Sequence, residues 1–149
     1  MFRRPDGHLT TATVRRLSRL HAALYRATSG RIGRRLADND MLVLTTTRRV
    51  SGGLHRVPLL YLRHDGGFAV FASYGGRHGH PAWYHNLAAR PQAEVRVGKR
   101  RVAVTARTAV GDERAALWER AVAAYAGYRE YQARTPREIP VVVLEPAGR

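Results

Sequence analysis

The chain has 149 residues, 44% hydrophobic and 25% charged, which suits one folded domain and excludes both a disordered tract and a span of ~20 apolar residues. Its formal net charge is +15, from 26 basic against 11 acidic residues, and all the basic ones except Lys99 are arginine. With no cysteine, disulfides and thiol chemistry are excluded.

The N-terminal "LTTATVRRLSRLHAALYRA" repeats Val14, Leu17, Leu20, Ala23 and Leu24 at steps of three and four, which predicts an amphipathic helix over Thr11 to Ala27. Arg15, Arg16, Arg19 and Arg26 lie between these positions, and Ser29 and Gly30 end the helix. Residues 1–36 thus read as a basic helical segment ahead of a domain over 37–149. Such a helix either covers one face of the domain or makes a peripheral contact with an anionic membrane surface. Arginines without an apolar stretch argue against a secretory leader, so a cytoplasmic protein, with membrane association through this helix as an option, is expected.

Strand patterns follow. "MLVLTTT" (Met41 to Thr47), "VPLLYLR" (Val57 to Arg63) and "GFAVFAS" (Gly67 to Ser73) are short, rich in β-branched or aromatic residues, and bounded by turn residues. Asp65-Gly66 predicts a hairpin between the second and third, and Gly98-Lys99 another between "AEVRVG" and "RVAVTARTA". "HPAWYHNLAAR" predicts a helix starting at Pro81 and ending before Pro91. "GDERAALWERAVAAYAGYREYQART" predicts a second from about Asp112, with a break or bend at Gly127. "IPVVVLEP" reads as an interior strand. About six antiparallel strands with two or three helices point to a mainly β, α+β chain built on a small barrel.

Three clusters carry candidate chemistry. "FASYGGRHGHPAWYHNL" places Ser73, Gly75 and Gly76 before a helix start, an arrangement that brings backbone N–H groups and positive potential to an anion. His78, His80 and His85 have ligand-like spacing, but no cysteine or acidic residue stands beside them, so no metal site is expected. The turn "TTTRRVSGGLHRVP" adds Arg48, Arg49 and Arg56, suited to an anionic group. Tyr125, Tyr128 and Tyr131 recur in steps of three, on one flank of a helix, where they either pack as half-buried tyrosines or line a pocket and donate protons. No Gly-x-Ser-x-Gly elbow or pair of carboxylates accompanies them. The arginines are scattered, without interleaved stacking aromatics, which favours a small anionic partner or a solvated basic surface over nucleic acid.

In this order, "LTTTRRVSG…VPLLYL…FASYGG…HPAWYHNL…VRVG…WERAVAAYAGYREYQ…IPVVVLEP" resembles the deazaflavin-dependent nitroreductase family of actinobacteria over about residues 41–146. The resemblance implies a split β-barrel that binds coenzyme F-420, an 8-hydroxy-5-deazaflavin with a phosphate and an oligoglutamate tail, in preference to FMN. It implies hydride transfer from the reduced coenzyme to a quinone, enone or nitro compound, by a monomer or homodimer. Carried onto this chain, it implies that Ala72, Ser73, Tyr74, Gly75, Ala82, Trp83 and Asn86 line the coenzyme groove, Ser73 also acting in catalysis by meeting the polar edge of the deazaflavin or the substrate. Arg49, Ser51, His55, Arg56 and Val57 would face the phosphate and tail. Tyr125, Tyr128 and Tyr131 would wall the substrate pocket, Tyr128 also meeting the coenzyme and Tyr131 orienting or protonating substrate. Members usually read Gly-Arg-Lys-Ser-Gly where this chain has Arg48 to Gly52, Pro-Arg at Leu54-His55, lysine at Tyr74 and proline at Ala126. Arg48, Arg56 and Arg77 stand near enough in sequence to replace the lost charge. The alternative is a member without redox chemistry that holds a small aromatic or lipid-like ligand, with acid–base work in a biosynthetic pathway.

Overall fold

The structure, a computed structural model, describes residues 41–148. The helix expected over Thr11 to Ala27 and the boundary near residue 37 lie outside the described residues.

Seven strands form one sheet: β1 (Met41–Thr47), β2 (Leu54–Leu60), β3 (Leu62–His64), β4 (Gly67–Phe71), β5 (Gln92–Val97), β6 (Arg100–Thr108) and β7 (Val141–Pro146). Seven replaces the expected six because the run Val57 to Arg63 is two strands. Pairing starts earlier, at Leu54, stops at Leu60, and resumes with a different partner at Leu62. The apolar pattern continues through both pieces, so composition does not mark the break.

The sheet order is β2-β1-β5-β6-β7-β4-β3, every neighbouring pair antiparallel. Its edge strands, β2 and β3, are consecutive in the chain, with only Tyr61 between them. One buried residue therefore joins opposite edges, and the sheet must curl until they meet. Leu42, Leu44, Phe68, Val70, Val95, Val104, Val142 and Leu144 fill the inside, joined by Trp83 and Leu87 of helix α1 (Ala82–Ala89). The alternate residues Ala69, Phe71, Val141 and Val143 face outward. They are covered by Leu117 and Ala121 of α2 (Gly111–Ala124) and Tyr128 of α3 (Gly127–Ala133). β7 is buried on both faces from Val141 to Leu144, which explains its unbroken apolar run. Each such Val or Leu contributes about 1.5–3 kcal/mol on burial. This is the expected split β-barrel.

The Asp65-Gly66 hairpin forms as predicted, with both residues at positive φ. The long C-terminal helix is interrupted earlier than expected. α2 ends at Ala124, Tyr125 is extended (φ −149°, ψ 101°), and Gly127 opens α3 rather than lying at the break. A Cβ on Gly127 would stand 2.8 Å from the Tyr125 ring, so its small size lets that ring fold back over the new helix.

Candidate functional site

A cavity of about 390 Å³ opens between β2, the segment leaving β4, and the break between α2 and α3. That volume suits a small organic ligand. One wall is made by Met41, Arg48 and the β2 run His55 to Leu60, a second by Phe71, Ser73, Tyr74, Gly75, Pro81, Ala82 and Trp83, and a third by Tyr125, Tyr128 and Tyr131.

The second wall is conformationally demanding. After Phe71 the chain enters a 3-10 turn, Tyr74–Gly76, in which Tyr74, Gly75 and Gly76 all have positive φ (48°, 64° and 79°). For Tyr74 this costs about 1–2 kcal/mol. Within the turn, Gly76 N–H donates to Ser73 O (2.8 Å) and Arg77 N–H to Tyr74 O (3.2 Å). Gly76 also lies against α3: an added Cβ would come within 2.9 Å of Tyr131 O. The Ser73 wall and the tyrosine wall therefore meet backbone to backbone.

The tyrosines do not share one helical flank, because Tyr125 sits in the break. Their rings nonetheless cluster, with centroids 5.2 Å apart for Tyr125–Tyr128, 6.2 Å for Tyr128–Tyr131 and 6.3 Å for Tyr125–Tyr131. Tyr128 is buried against Phe71 and Trp118. The hydroxyls of Tyr125 and Tyr131 share a hydrogen bond of 3.3 Å. Burial foremost, then the neighbouring phenols, raises the pKa of Tyr128 well above the ordinary tyrosine value. For Tyr131 the causes are burial first and the hydrogen bond with Tyr125 next. At neutral pH both are therefore neutral phenols, able to donate a hydrogen bond.

Arg48 and Arg56 supply the cationic side of the cavity. Arg77, the third expected replacement, does not line it, and its guanidinium lies 5.7 Å from the centre of the Tyr74 ring. Four other expected residues also lie outside the lining. Arg49 meets Asn86 through its backbone N–H (3.2 Å), and buried Asn86 donates to Thr46 Oγ1 (3.0 Å), which pins the β1–β2 turn onto α1. Ser51 Oγ accepts from Gly53 N–H in the same exposed turn, and Ala72 is buried in the barrel. Val50, where lysine is usual, is 90% exposed and also outside the lining. The remaining expected residues, His55, Arg56, Val57, Ser73, Tyr74, Gly75, Ala82, Trp83 and the three tyrosines, do line it.

Sequence reasoning passed over the apolar β2 run Pro58 to Leu60 and Arg137. Pro58 was a usable signal for the former, because a proline within a strand pattern points to a sheet edge. Arg137 does not line this cavity, but its guanidinium reaches the Ser73 segment: Nη2 donates to Ser73 O (2.9 Å) and Nη1 to Ala72 O (3.0 Å). His80 Nδ1 accepts from Nη1 (3.0 Å), and burial, then Arg137 and His85, lowers the pKa of His80. The His80 ring packs on Tyr84 and His85 at 4.9 and 5.8 Å. Among the described residues the group with metal-ligand spacing lies elsewhere, at His64, Asp65 and Glu113. There Arg107 already donates to both Glu113 oxygens (2.6 and 2.9 Å), so a cation competes for the same lone pairs.

The lining fits a planar heteroaromatic group with an anionic extension: apolar and aromatic walls, phenol donors, and two arginines at one side. The comparisons with known proteins agree. The family described as F420H(2)-dependent quinone reductase matches residues 17–146. The F420H(2)-dependent quinone reductase of Mycobacterium tuberculosis (strain H37Rv) is 42% identical over 132 residues, covering 86% of this chain and 89% of that protein. A solved F420-H2 dependent reductase (FDR-A) is 41% identical, with a TM-score of 0.66 over 71% of this chain and 94% of that one. A structure described as a domain-swapped dimer is 38% identical, with a TM-score of 0.68 over 85% and 94%. The chain therefore belongs to the F420H(2)-dependent quinone reductase family.

Proposed function

We propose that the cavity holds the reduced deazaflavin coenzyme F-420 beside a quinone and that the protein is a coenzyme F-420-dependent quinone reductase. The carrying observation is one cavity walled by Arg48 and Arg56, the Ser73 segment and three clustered phenols. When bound, the coenzyme supplies a hydride, so the protein's task is to align donor with acceptor and manage charge. Arg48 and Arg56, with His55, hold the phosphate and tail. Ser73, Tyr74, Gly75, Ala82 and Trp83, together with Val57 and Tyr128, would hold the ring system. Arg49, Ser51, Ala72 and Asn86 act from behind these walls, shaping the turn and the loop.

Negative charge develops on the quinone oxygen as hydride arrives, and a phenol within reach stabilises it and gives up its proton. Tyr131 is assigned that role, with Tyr125 hydrogen-bonded to it as second phenol. The apolar side of β2 excludes water from the reacting face. The basic sequence of residues 1–36 supports peripheral contact with an anionic membrane surface. Among the described residues no helix is long and apolar enough to cross a membrane. Arg48 and Arg56 answer the charge lost at Val50 and Tyr74, which removes the main motive for a member without redox chemistry.

The test mixes purified protein with reduced coenzyme F-420 and 2-methyl-1,4-naphthoquinone and follows recovery of coenzyme absorbance. Quinone-dependent oxidation well above the protein-free rate is expected. A rate equal to that background, with the coenzyme shown to bind by its fluorescence, rejects the assignment.

A further inference from the structure

We propose that Arg137 is a positioning residue, fixing the Ser73 wall against the tyrosine wall; the inference rests on the hydride-transfer reading above. Its guanidinium donates from Nε to Arg77 O (2.9 Å), from Nη1 to Ala72 O and His80 Nδ1 (both 3.0 Å), and from Nη2 to Ser73 O (2.9 Å). All four acceptors lie within residues 72–80, the segment that carries Ser73, Tyr74 and Gly75 to the cavity. In the other direction, Arg137 O accepts from Gln132 Nε2 (2.7 Å), and Gln132 Oε1 accepts from Ile139 N–H (2.9 Å). Gln132 follows Tyr131 in α3. The Arg137 side chain thus holds the loop behind the ring-binding wall, while the Gln132 side chain holds the main chain at Arg137 to the helix that carries the assigned proton donor.

The chemistry suits positioning better than general stabilisation. The adjacent acid, Glu138, turns to Arg114 at 3.5 Å, and the Arg137 charge is spread over backbone carbonyls and an imidazole. A planar fork meets four acceptors in fixed directions, which an ammonium on a flexible stem cannot do. The segment needs such a hold, because Tyr74, alone of the three residues at positive φ, is not a glycine and would not keep that conformation by itself. Arg137 does not line the cavity, so its influence on the reaction passes through the loop. A shift of about 1 Å between donor and acceptor costs hydride transfer up to ~100-fold.

The test uses Arg137→Lys and Arg137→Ala in the full chain. Amide hydrogen exchange is measured without coenzyme, and turnover with reduced coenzyme F-420 and 2-methyl-1,4-naphthoquinone. In Arg137→Lys, exchange over residues 72–80 should accelerate while residues 141–146 keep their protection. Its kcat should fall about tenfold or more, with the quinone KM moving less than about threefold. Arg137→Ala should lose more, with partial recovery on adding methylguanidinium; if it does not fold, Arg137→Lys carries the test. Unchanged exchange over 72–80 in Arg137→Lys overturns the proposal, and so does a loosened segment with kcat within about twofold of the parent. A parent protein that never oxidises the coenzyme rejects the hydride-transfer reading instead, and exchange alone then decides whether Arg137 holds the loop.

Discussion

Tyr131 is the residue on which the chemistry can be tested most narrowly. Its ring packs against Tyr125 and Tyr128, and its hydroxyl meets Tyr125 at 3.3 Å. Tyr131→Phe keeps the ring contacts and removes only the oxygen. The lost hydrogen bond is worth about 1 kcal/mol, so the melting temperature should fall by only about 3–5 °C. Loss of a positioned general acid should lower kcat by about 100-fold while coenzyme affinity, read by fluorescence titration, stays close to the parent value. An unchanged kcat would pass the donor role to Tyr125. At this same scale, sequence spacing singled out three tyrosines that do gather at the cavity, but by a different geometry. The step of three suggested one helical flank, whereas the extended backbone at Tyr125 folds its ring back onto α3 through the room left by Gly127. Arg137 was not legible at all, because three of its four acceptors are main-chain carbonyls, which every residue carries and no side-chain pattern announces.

Elements were legible where their signals are local. Asp65-Gly66 marks a hairpin by turn chemistry, and the apolar run of β7 marks burial on both faces, so these matched their expected places. The β2–β3 division was hidden, because what ends β2 is the need to cross from one sheet edge to the other, a property of the closed sheet. The cavity was hidden for a related reason: its walls come from residues 41–60, 71–83 and 125–131, brought together only by that closure. The contact between the 3-10 turn and α3 supplies an element-scale prediction. Gly76→Ala puts a methyl group 2.9 Å from Tyr131 O and 3.0 Å from its Cα, at φ 79°. Backbone cannot swing aside as a side chain does, so α3 and the turn must separate. Stability measured by denaturant unfolding should fall by about 2 kcal/mol, from the left-handed penalty and lost packing together. Turnover should fall with it, since the same displacement moves Tyr131 away from the Ser73 wall. A variant as stable and as active as the parent would mean that the two walls are not mechanically joined.

At the scale of the molecule the question is what a net charge of +15 does. Arginines are scattered over the sequence, and two of them, Arg48 and Arg56, line the cavity. Under the proposed function, for a coenzyme carrying a phosphate and a tail of carboxylates, the whole surface would act as a long-range attractor and the two arginines as its end point. For a neutral quinone it does neither. The two ligands should therefore respond differently to salt. The association rate of coenzyme F-420, followed by stopped-flow fluorescence, should drop about tenfold or more between about 20 and 200 mM sodium chloride as the screening length shrinks. The KM for 2-methyl-1,4-naphthoquinone, measured at saturating coenzyme, should stay nearly constant over that range. Replacing Arg48 and Arg56 with glutamine should slow coenzyme dissociation in no condition and speed it in all, because those contacts are made after arrival. The salt slope of association should lessen only slightly, because 24 other basic residues still set the field. A slope that vanished with those two arginines would instead place the attraction at the mouth of the cavity and leave the remaining charge a matter of solubility.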